Sequence, residues 1–138
     1  MMDYKELIKE AFDAQKNSYS PYSSCKVGAA LLCKDGRIYK GCNIENASFS
    51  LTNCAERTAL FKAVSEGERG FEAIAVVGNN GQDELFFPCG ACRQALSEFC
   101  GKDFKIIVAK CVDEYKVLTL GELLPFSFDK EVVYEKDC

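Results

Sequence analysis

Three cysteines and one glutamate are the residues of this sequence whose types and spacing best suit chemistry. Cys54-Ala55-Glu56 is followed by Pro88-Cys89-Gly90-Ala91-Cys92, which begins 34 positions after Cys54. The chain has no histidine, so a tight zinc site must be built from sulfur. Structural zinc sites use four protein ligands, whereas catalytic sites use three and leave one position for water. Cys54, Cys89 and Cys92 therefore predict a catalytic site for one Zn2+ ion per chain.

Glu56 is the predicted proton shuttle of this site. It follows Cys54 by two residues, where its carboxylate can contact a water in the open position more comfortably than it can ligate the metal. Because zinc lowers the pKa of such a water toward ~7, a carboxylate can take up its proton. The proton would then pass to a ring nitrogen of the substrate, and later to a departing amine. The alternative is an ordinary exposed helix glutamate.

Both halves of the motif are predicted to begin helices, Cys54 one helix and Cys89 with Cys92 the other. Helix N-termini favour anions and lower the pKa of thiols, so these positions suit thiolates. Three thiolates on a divalent ion leave a net charge of −1, which weakens its pull on water. Arg57 could correct this by donating hydrogen bonds to the sulfurs from the next helical turn. Otherwise Arg57 is a solvated helix residue.

The elements that must position these residues follow from hydrophobic periodicity and from turn and cap residues. Thr52 or Asn53 is predicted to cap the first motif helix, and Thr119 the last turn. This order of elements predicts one α/β domain over residues 1–138, a sandwich around one sheet that is antiparallel at its first hairpin. The predicted helices are 3–17, 54–67 and 89–99, the strands are 25–33, 38–44, 71–78, 104–111 and 114–118, and the last turn is 120–124.

Composition limits the classes of function. With 138 residues, 48% hydrophobic and 28% charged, the chain has the composition of one globular domain. Its net charge of −4 disfavours a polynucleotide substrate, and no apolar run is long enough for a transmembrane helix.

The cysteine count bears on the cellular compartment. The start of the chain is charged and does not resemble a signal peptide. Nine cysteines, an odd number, then indicate a reducing cytoplasm rather than a disulfide framework. The six cysteines outside the motif are predicted to be small buried hydrophobes or idle thiols: Cys25, Cys33, Cys42, Cys100, Cys111 and Cys138.

A polar segment, Gly41-Cys42-Asn43-Ile44-Glu45-Asn46-Ala47, lies at the end of the second strand, just before the first motif helix. Its amide and carboxylate side chains could receive the hydroxyls of a sugar, although a polar loop would have the same composition.

With this segment and the metal motif, the sequence resembles the small, homotetrameric, zinc-dependent cytidine deaminases of pyrimidine salvage, nearly from end to end. The resemblance rests on Ser20-Pro21-Tyr22-Ser23, Val27-Gly28-Ala29-Ala30-Leu31, Gly41 to Asn46, Cys54-Ala55-Glu56-Arg57-Thr58-Ala59, Pro88 to Gln94 and Glu122-Leu123-Leu124-Pro125.

The resemblance implies an α/β/α sandwich with a central mixed sheet of about five strands. It also implies hydrolysis of cytidine and deoxycytidine to uridine and deoxyuridine with loss of ammonia, in sites that neighbouring subunits complete. The residue roles that it implies are zinc binding by Cys54, Cys89 and Cys92, proton donation by Glu56, ribose binding by Asn43 and Glu45, binding of the pyrimidine carbonyl by the backbone amide of Ala55, and an aromatic ring brought in from another chain by Phe128.

Two positions depart from the family pattern. Position 25 is cysteine where such enzymes usually have a phenylalanine against the base, and position 49 is phenylalanine where a tyrosine is frequent. Loss of the first ring should cost on the order of 1 kcal/mol of aromatic contact. It could instead signal a different or bulkier base. Phe126 is a candidate for filling the space beside Cys25.

Two other functions remain open at this point. One is deamination of another small aminopyrimidine nucleoside of the blasticidin S type, although Asn43 and Glu45 favour ordinary ribosides. The other is a non-catalytic zinc-stabilised module, in which Cys42, Cys25 or Cys100 supplies a fourth sulfur. An editing enzyme acting on RNA or DNA is disfavoured by the charge balance.

Overall fold

The computed structural model of the protein describes residues 3–79, 81 and 84–131. Its centre is one mixed sheet with the strand order β2-β1-β3-β4-β5. The pairing is antiparallel throughout except between β3 and β4, which are parallel and are joined by a helical crossover. The strands are β1 (Lys26–Cys33), β2 (Ile38–Cys42), β3 (Phe71–Asn79), β4 (Lys105–Cys111) and β5 (Glu114–Thr119).

The helices cover the two faces of this sheet. Alternate residues of β1 divide between two cores, because successive side chains of a strand point to opposite faces. Ala30 and Leu32 lie in the core beneath α1, whereas Ala29 and Leu31 lie in the core beneath α2 and α3. The predicted α/β/α sandwich with a five-stranded mixed sheet is confirmed. The helices are α1 (Tyr4–Gln15), α2 (Ala55–Ser65), α3 (Gly90–Phe99) and the short α4 (Leu120–Leu123).

Local capping agrees with the sequence at one helix and not at another. Thr119 caps α4 through a capping box with Glu122, as predicted. The predicted cap of α2 is wrong, because Cys54 itself is the N-cap residue and no side chain caps the helix. Thr52 instead accepts a hydrogen bond from a loop amide, and Asn53 donates its side-chain amide to Thr58. The side chains of both candidate cap residues thus form other hydrogen bonds instead of capping α2. A 3-10 turn at Phe49–Leu51 was not expected.

Gly41 allows α2 to approach β2 closely. A Cβ atom at Gly41 would lie 2.5 Å from the carbonyl oxygen of Ala55 and 2.5 Å from the backbone nitrogen of Ala59. Gly28 plays the same role for α1, since a Cβ there would lie 2.1 Å from the carbonyl oxygen of Ala11. Because backbone cannot give way cheaply, either helix must move if these glycines acquire side chains.

We therefore expect Gly41→Ala and Gly28→Ala each to lower the free energy of unfolding by roughly 1–3 kcal/mol. Only Gly41→Ala should also lower zinc content, because α2 carries the first motif half. Chemical denaturation and metal analysis of both variants check this. Equal zinc loss in the two would show that the metal centre responds to stability in general.

Among the residues that the structure describes, the helices are all too short or too polar to span a bilayer.

Candidate active site

The three motif cysteines meet at the beginnings of two helices. Cys54 is the N-cap of α2, Cys89 is the N-cap of α3, and Cys92 lies in the first turn of α3. The sulfur of Cys89 is 3.6 Å from that of Cys54 and 3.5 Å from that of Cys92. Cys92 is buried and Cys89 is exposed. The cluster thus opens on one side, where a substrate can enter.

The sulfur geometry fits a zinc ion. Two sulfurs bound ~2.3 Å from a tetrahedral zinc lie about 3.8 Å apart, close to both separations in the cluster. All three sulfurs lie within 4.8 Å of one another. Among the described residues, no fourth thiol or carboxylate joins this group, and Cys25, Cys42 and Cys100 lie outside it. This donor set suits a zinc site with an open position and argues against a closed four-sulfur module.

Hydrogen bonds favour thiolate at Cys54. The thiols of Cys92 and Cys89 and the guanidinium of Arg57 lower the pKa of Cys54 to about 5, against the opposing effect of burial. In return, the hydrogen bond to Cys54 and burial raise the pKa of Cys92. The Nη2 atom of Arg57 donates to the Cys54 sulfur at 3.4 Å. The sequence analysis expected Arg57 to donate hydrogen bonds to the sulfurs, and the structure shows such a bond to Cys54.

Glu56 is buried beside the sulfur cluster, with only 4% of its surface exposed. Burial raises the pKa of its carboxyl to about 7, with a further rise from the charge of Cys54. Hydrogen bonds from its own backbone N–H and from Cys92 act in the opposite direction. A solvated helix glutamate would not show this burial. A group of this pKa can both accept and donate a proton near neutral pH.

A cavity of about 360 Å³ lies beside Glu56 and two of the three motif cysteines, Cys54 and Cys89. Its size is that of a small-molecule site. Ala55 lines it with these three residues. The other lining residues are of two kinds: the polar ones are Ser23, Asn43, Glu45, Thr52 and Asn53, and the apolar ones are Val27, Val76, Phe86 and Phe87, together with Cys25. A slightly larger cavity, of about 420 Å³ near the end of α3, contains none of the predicted site residues.

Backbone pairing holds the predicted sugar segment against the metal helix. Ile44 and Asn53 exchange two backbone hydrogen bonds of 2.9 Å in an isolated antiparallel bridge. On its other side, the segment pairs with Tyr19, which donates to the carbonyl of Asn43 and accepts from the amide of Glu45. This pairing places Asn43 and Glu45 beside the start of α2, although the sequence between Glu45 and Asn53 carries no regular pattern.

Asn43 and Glu45 already have partners within the chain. The Asn43 side-chain oxygen accepts from Ser18 and from the amide of Val27, and its nitrogen donates to the carbonyl of Cys25 at 2.7 Å. One N–H of the amide is left over. The Glu45 carboxylate accepts from the Ser23 hydroxyl and from the amides of Tyr22 and Ser23, and these bonds lower its pKa.

Three predicted aromatic positions are not among the residues that line this cavity in their own chain. Phe49 is 73% exposed and packs edge-on against Tyr22. Phe128 is 61% exposed, and its carbonyl accepts from Gln94. Phe126 is fully exposed, so the expectation that it fills the space beside Cys25 is wrong within one chain. The rings that line the cavity are Phe86 and Phe87, which the sequence analysis missed. Their place directly before the Pro-Cys half of the motif was an available signal.

The cysteines outside the motif are free thiols in the described part of the chain. Cys33 is buried, Cys111 is exposed, and Cys25, Cys42 and Cys100 are half-buried. The interpretation as small hydrophobes fits Cys33 best. Cys138 lies outside the described residues.

Comparison with known proteins agrees with this geometry. Residues 1–109 match the family model described as the cytidine and deoxycytidylate deaminase zinc-binding region. The chain is 52% identical over 130 residues to a cytidine deaminase of Halalkalibacterium halodurans, covering 94% of this chain and 97% of that protein. It is 49% identical over 130 residues to a cytidine deaminase of Sporosarcina psychrophila, covering 94% of each.

A solved structure extends the likeness to the fold. The crystal structure of a cytidine deaminase from Burkholderia pseudomallei superposes with a TM-score of 0.87 at 45% identity, covering 92% of this chain and 100% of that one. A blasticidin-S deaminase of Bacillus cereus is more distant, at 32% identity over 110 residues and 75% of this chain.

A three-sulfur centre, a buried glutamate beside it and an α/β/α sandwich together define a zinc-dependent hydrolytic enzyme. The family match spans more than half of the chain, and curated relatives are about half identical over nearly all of it. The chain belongs to the cytidine and deoxycytidylate deaminase family, and zinc is its cofactor.

Proposed function

We propose that this enzyme hydrolyses cytidine and deoxycytidine to uridine and deoxyuridine with release of ammonia. The observation that carries the proposal is the buried Glu56 carboxyl, which lines a nucleoside-sized cavity beside three sulfurs spaced for zinc. The close relatives described as cytidine deaminases support it. The distance of the blasticidin-S relative, and the polar pair Asn43 and Glu45 at the cavity, favour an ordinary riboside.

In the reaction, Cys54, Cys89 and Cys92 would hold the metal. Zinc held there would lower the pKa of a water toward ~7 and so supply the nucleophile. Glu56 takes a proton from this water and donates it to the ring nitrogen N3, while the water oxygen bonds to C4. Glu56 then carries the second proton of the attacking oxygen to the exocyclic amine. The C4–N bond breaks, ammonia leaves, and a carbonyl remains at C4.

Groups around Glu56 orient the nucleoside. Ala55 is the first residue of α2, so its backbone N–H has no partner within the helix and can donate to the pyrimidine carbonyl. Asn43 lines the cavity, and its remaining N–H can donate to a ribose hydroxyl. Glu45 keeps acceptor capacity on its carboxylate and can receive a hydroxyl. These contacts hold C4 next to the nucleophile. Such positioning raises the rate of the reaction because the reacting atoms are already in the right geometry.

We further propose that the enzyme is a homotetramer whose sites are shared between subunits. Exposed apolar side chains near the cavity mouth support this, because patches of this kind mark protein interfaces. They include Tyr19, Tyr22, Ile44, Phe49 and Leu51. The exposed Phe128 is the candidate to enter the cavity of a neighbouring chain. Sedimentation equilibrium checks the assembly, and a monomer that deaminates cytidine at full rate would contradict it.

The setting proposed for this activity is pyrimidine salvage in the cytoplasm, carried out by a single catalytic domain over residues 1–138. Free thiols in the described part of the chain support a reducing compartment. The net charge of −4 opposes a polynucleotide substrate, and so does the cavity lining, which contains no lysine or arginine among the described residues.

The proposal is tested by the ultraviolet change on conversion of cytidine, measured together with zinc per chain. Deoxycytidine and blasticidin S are assayed in parallel. We expect turnover of both nucleosides in proportion to zinc content, and little turnover of the antibiotic. Preference for blasticidin S would reassign the substrate, and zinc-loaded protein without turnover of any of the three would overturn the enzyme assignment.

Arg57 supports the metal site in this proposal through its bond to Cys54. Its Nε atom is also buried and has no hydrogen-bond partner among the described residues. This side of the guanidinium therefore lies in the interior of the protein. We expect Arg57→Ala to lower zinc affinity or kcat by roughly 10- to 100-fold, as loss of groups that support metal ligands does. Competition with a chromogenic chelator measures the affinity. Arg69→Ala, an exposed arginine after α2, is the control, and equal effects of both would contradict the role of Arg57.

A further inference from the structure

The Phe86 ring lies directly over Gly78. A Cβ atom built at Gly78 would be 2.3 Å from Cγ of Phe86 and 2.4 Å from Cδ2. No real side chain tolerates such distances, so the ring occupies the space that any other residue at position 78 would need. The absence of a side chain at Gly78 therefore sets where the Phe86 ring can lie.

Strand register fixes which side of the sheet this ring is on. In the β1–β3 pair, Val27 is opposite Gly78, and Ala29 is opposite Val76. Opposite residues of an antiparallel pair share a face, and Ala29 and Val76 belong to the core beneath α2 and α3. Phe86 thus lies on the face that carries the metal helices, next to Val27 and Val76, with which it lines the cavity.

Cys25 reaches the same part of the cavity. It lies directly before β1, two residues ahead of Val27, and both residues line the cavity. Its side chain is small and lines the cavity together with Phe86. A large side chain at position 25 would compete with the Phe86 ring for this volume.

Phe87 also lines the cavity but is held less firmly. It is 41% exposed, whereas Phe86 is half-buried against the sheet. Pro88, which follows, is fully buried and anchors the chain where it enters the metal loop. Of the two rings, Phe86 is the one whose position is fixed by packing against the sheet.

We propose that Phe86 is the aromatic wall that contacts the pyrimidine base, and that Gly78 is the positioning residue that makes room for it. This rests on the proposed function, since it assigns the base side of the same cavity. With the ribose at Asn43 and Glu45 and the reacting carbon at Glu56, the flat face of the base is left to the apolar residues of the lining, which include Phe86. An aromatic ring there stabilises the bound base by ring contact and excludes water.

The test is a set of variants assayed for cytidine KM and kcat, with the affinity for the product uridine measured by calorimetry. We expect Phe86→Ala to raise KM and the uridine Kd by roughly 3- to 10-fold, from the lost ring contact. Zinc content and kcat should stay within about twofold, because the metal and Glu56 are not touched. Phe86→Leu should recover part of the affinity, and Phe61→Ala, which removes an exposed ring of α2 outside the cavity lining, should change it less than twofold.

A double-mutant cycle separates positioning from general disruption. Gly78→Ala should raise KM in the natural chain but add nothing in the Phe86→Ala background. Cys25→Phe should restore affinity to Phe86→Ala, because a ring at position 25 can enter the vacated volume, and should not improve the natural chain. Unchanged KM and uridine affinity in both Phe86 variants would overturn this inference while leaving the proposed activity intact. A natural chain that neither deaminates cytidine nor binds uridine would overturn both.

Discussion

We expect Glu56→Gln to lower kcat for cytidine at least ~100-fold, because the amide cannot carry the protons of the reaction. The substitution keeps the size of the side chain, so the cavity and the sulfur cluster should be preserved. Zinc per chain should be unchanged, and the uridine Kd should move little. The measurement is steady-state deamination by ultraviolet absorbance, with metal analysis of the same sample.

Glu66→Gln is the matched control, since Glu66 ends the same helix and is exposed. Its kcat should equal that of the natural chain. If Glu56→Gln retained most of its activity with a full complement of zinc, another group would have to move the protons, and the role assigned to Glu56 would be wrong.

Replacement of Cys92 by serine should remove zinc and with it the activity. Cys92 is buried, and its sulfur lies 3.5 Å from that of Cys89. A hydroxyl is a much poorer zinc ligand than a thiolate. The two remaining sulfurs are fewer than the three protein ligands of a catalytic zinc site. We expect zinc to fall below roughly a tenth of an equivalent, and deamination to fall in proportion.

Cys111→Ser is the control for this variant, because Cys111 is an exposed thiol outside the sulfur cluster. It should keep both zinc and activity. Circular dichroism of each variant separates loss of metal from loss of fold. Full activity of Cys92→Ser after extensive dialysis against a chelator would contradict the assignment of Cys92 as a ligand.

The fold was largely predictable because its signals are local. The apolar run of β1 and the turn before Ile38 indicate a hairpin without any knowledge of the rest of the chain, and the structure has it. The cap of α2 was not predictable in this way. Asn53 has the right side chain for a cap, but its backbone is held by Ile44 and its amide by Thr58, and neither partner can be inferred from propensity.

The active site also has parts that the sequence predicts and parts that it does not. The spacing of Cys54, Cys89 and Cys92 predicted a metal group, and the structure brings their sulfurs together. The position of the Phe86 ring could not be predicted, because it depends on the strand register that sets Val27 opposite Gly78. Phe128 stays a prediction, since within its own chain it is exposed and apart from the cavity lining.

The bridge between Ile44 and Asn53 has a consequence for redesign of the enzyme. It closes residues 46–52 into a loop whose two ends are pinned, so the loop can change in length or composition without displacing Glu45 on one side or Cys54 on the other. Thr52 brings the end of this loop to the cavity, and Phe49 stands exposed on it. Libraries confined to the other positions of this loop, with the interface candidates Phe49 and Leu51 kept, would therefore vary which substituents a nucleoside can carry without changing Glu56 or the sulfur cluster.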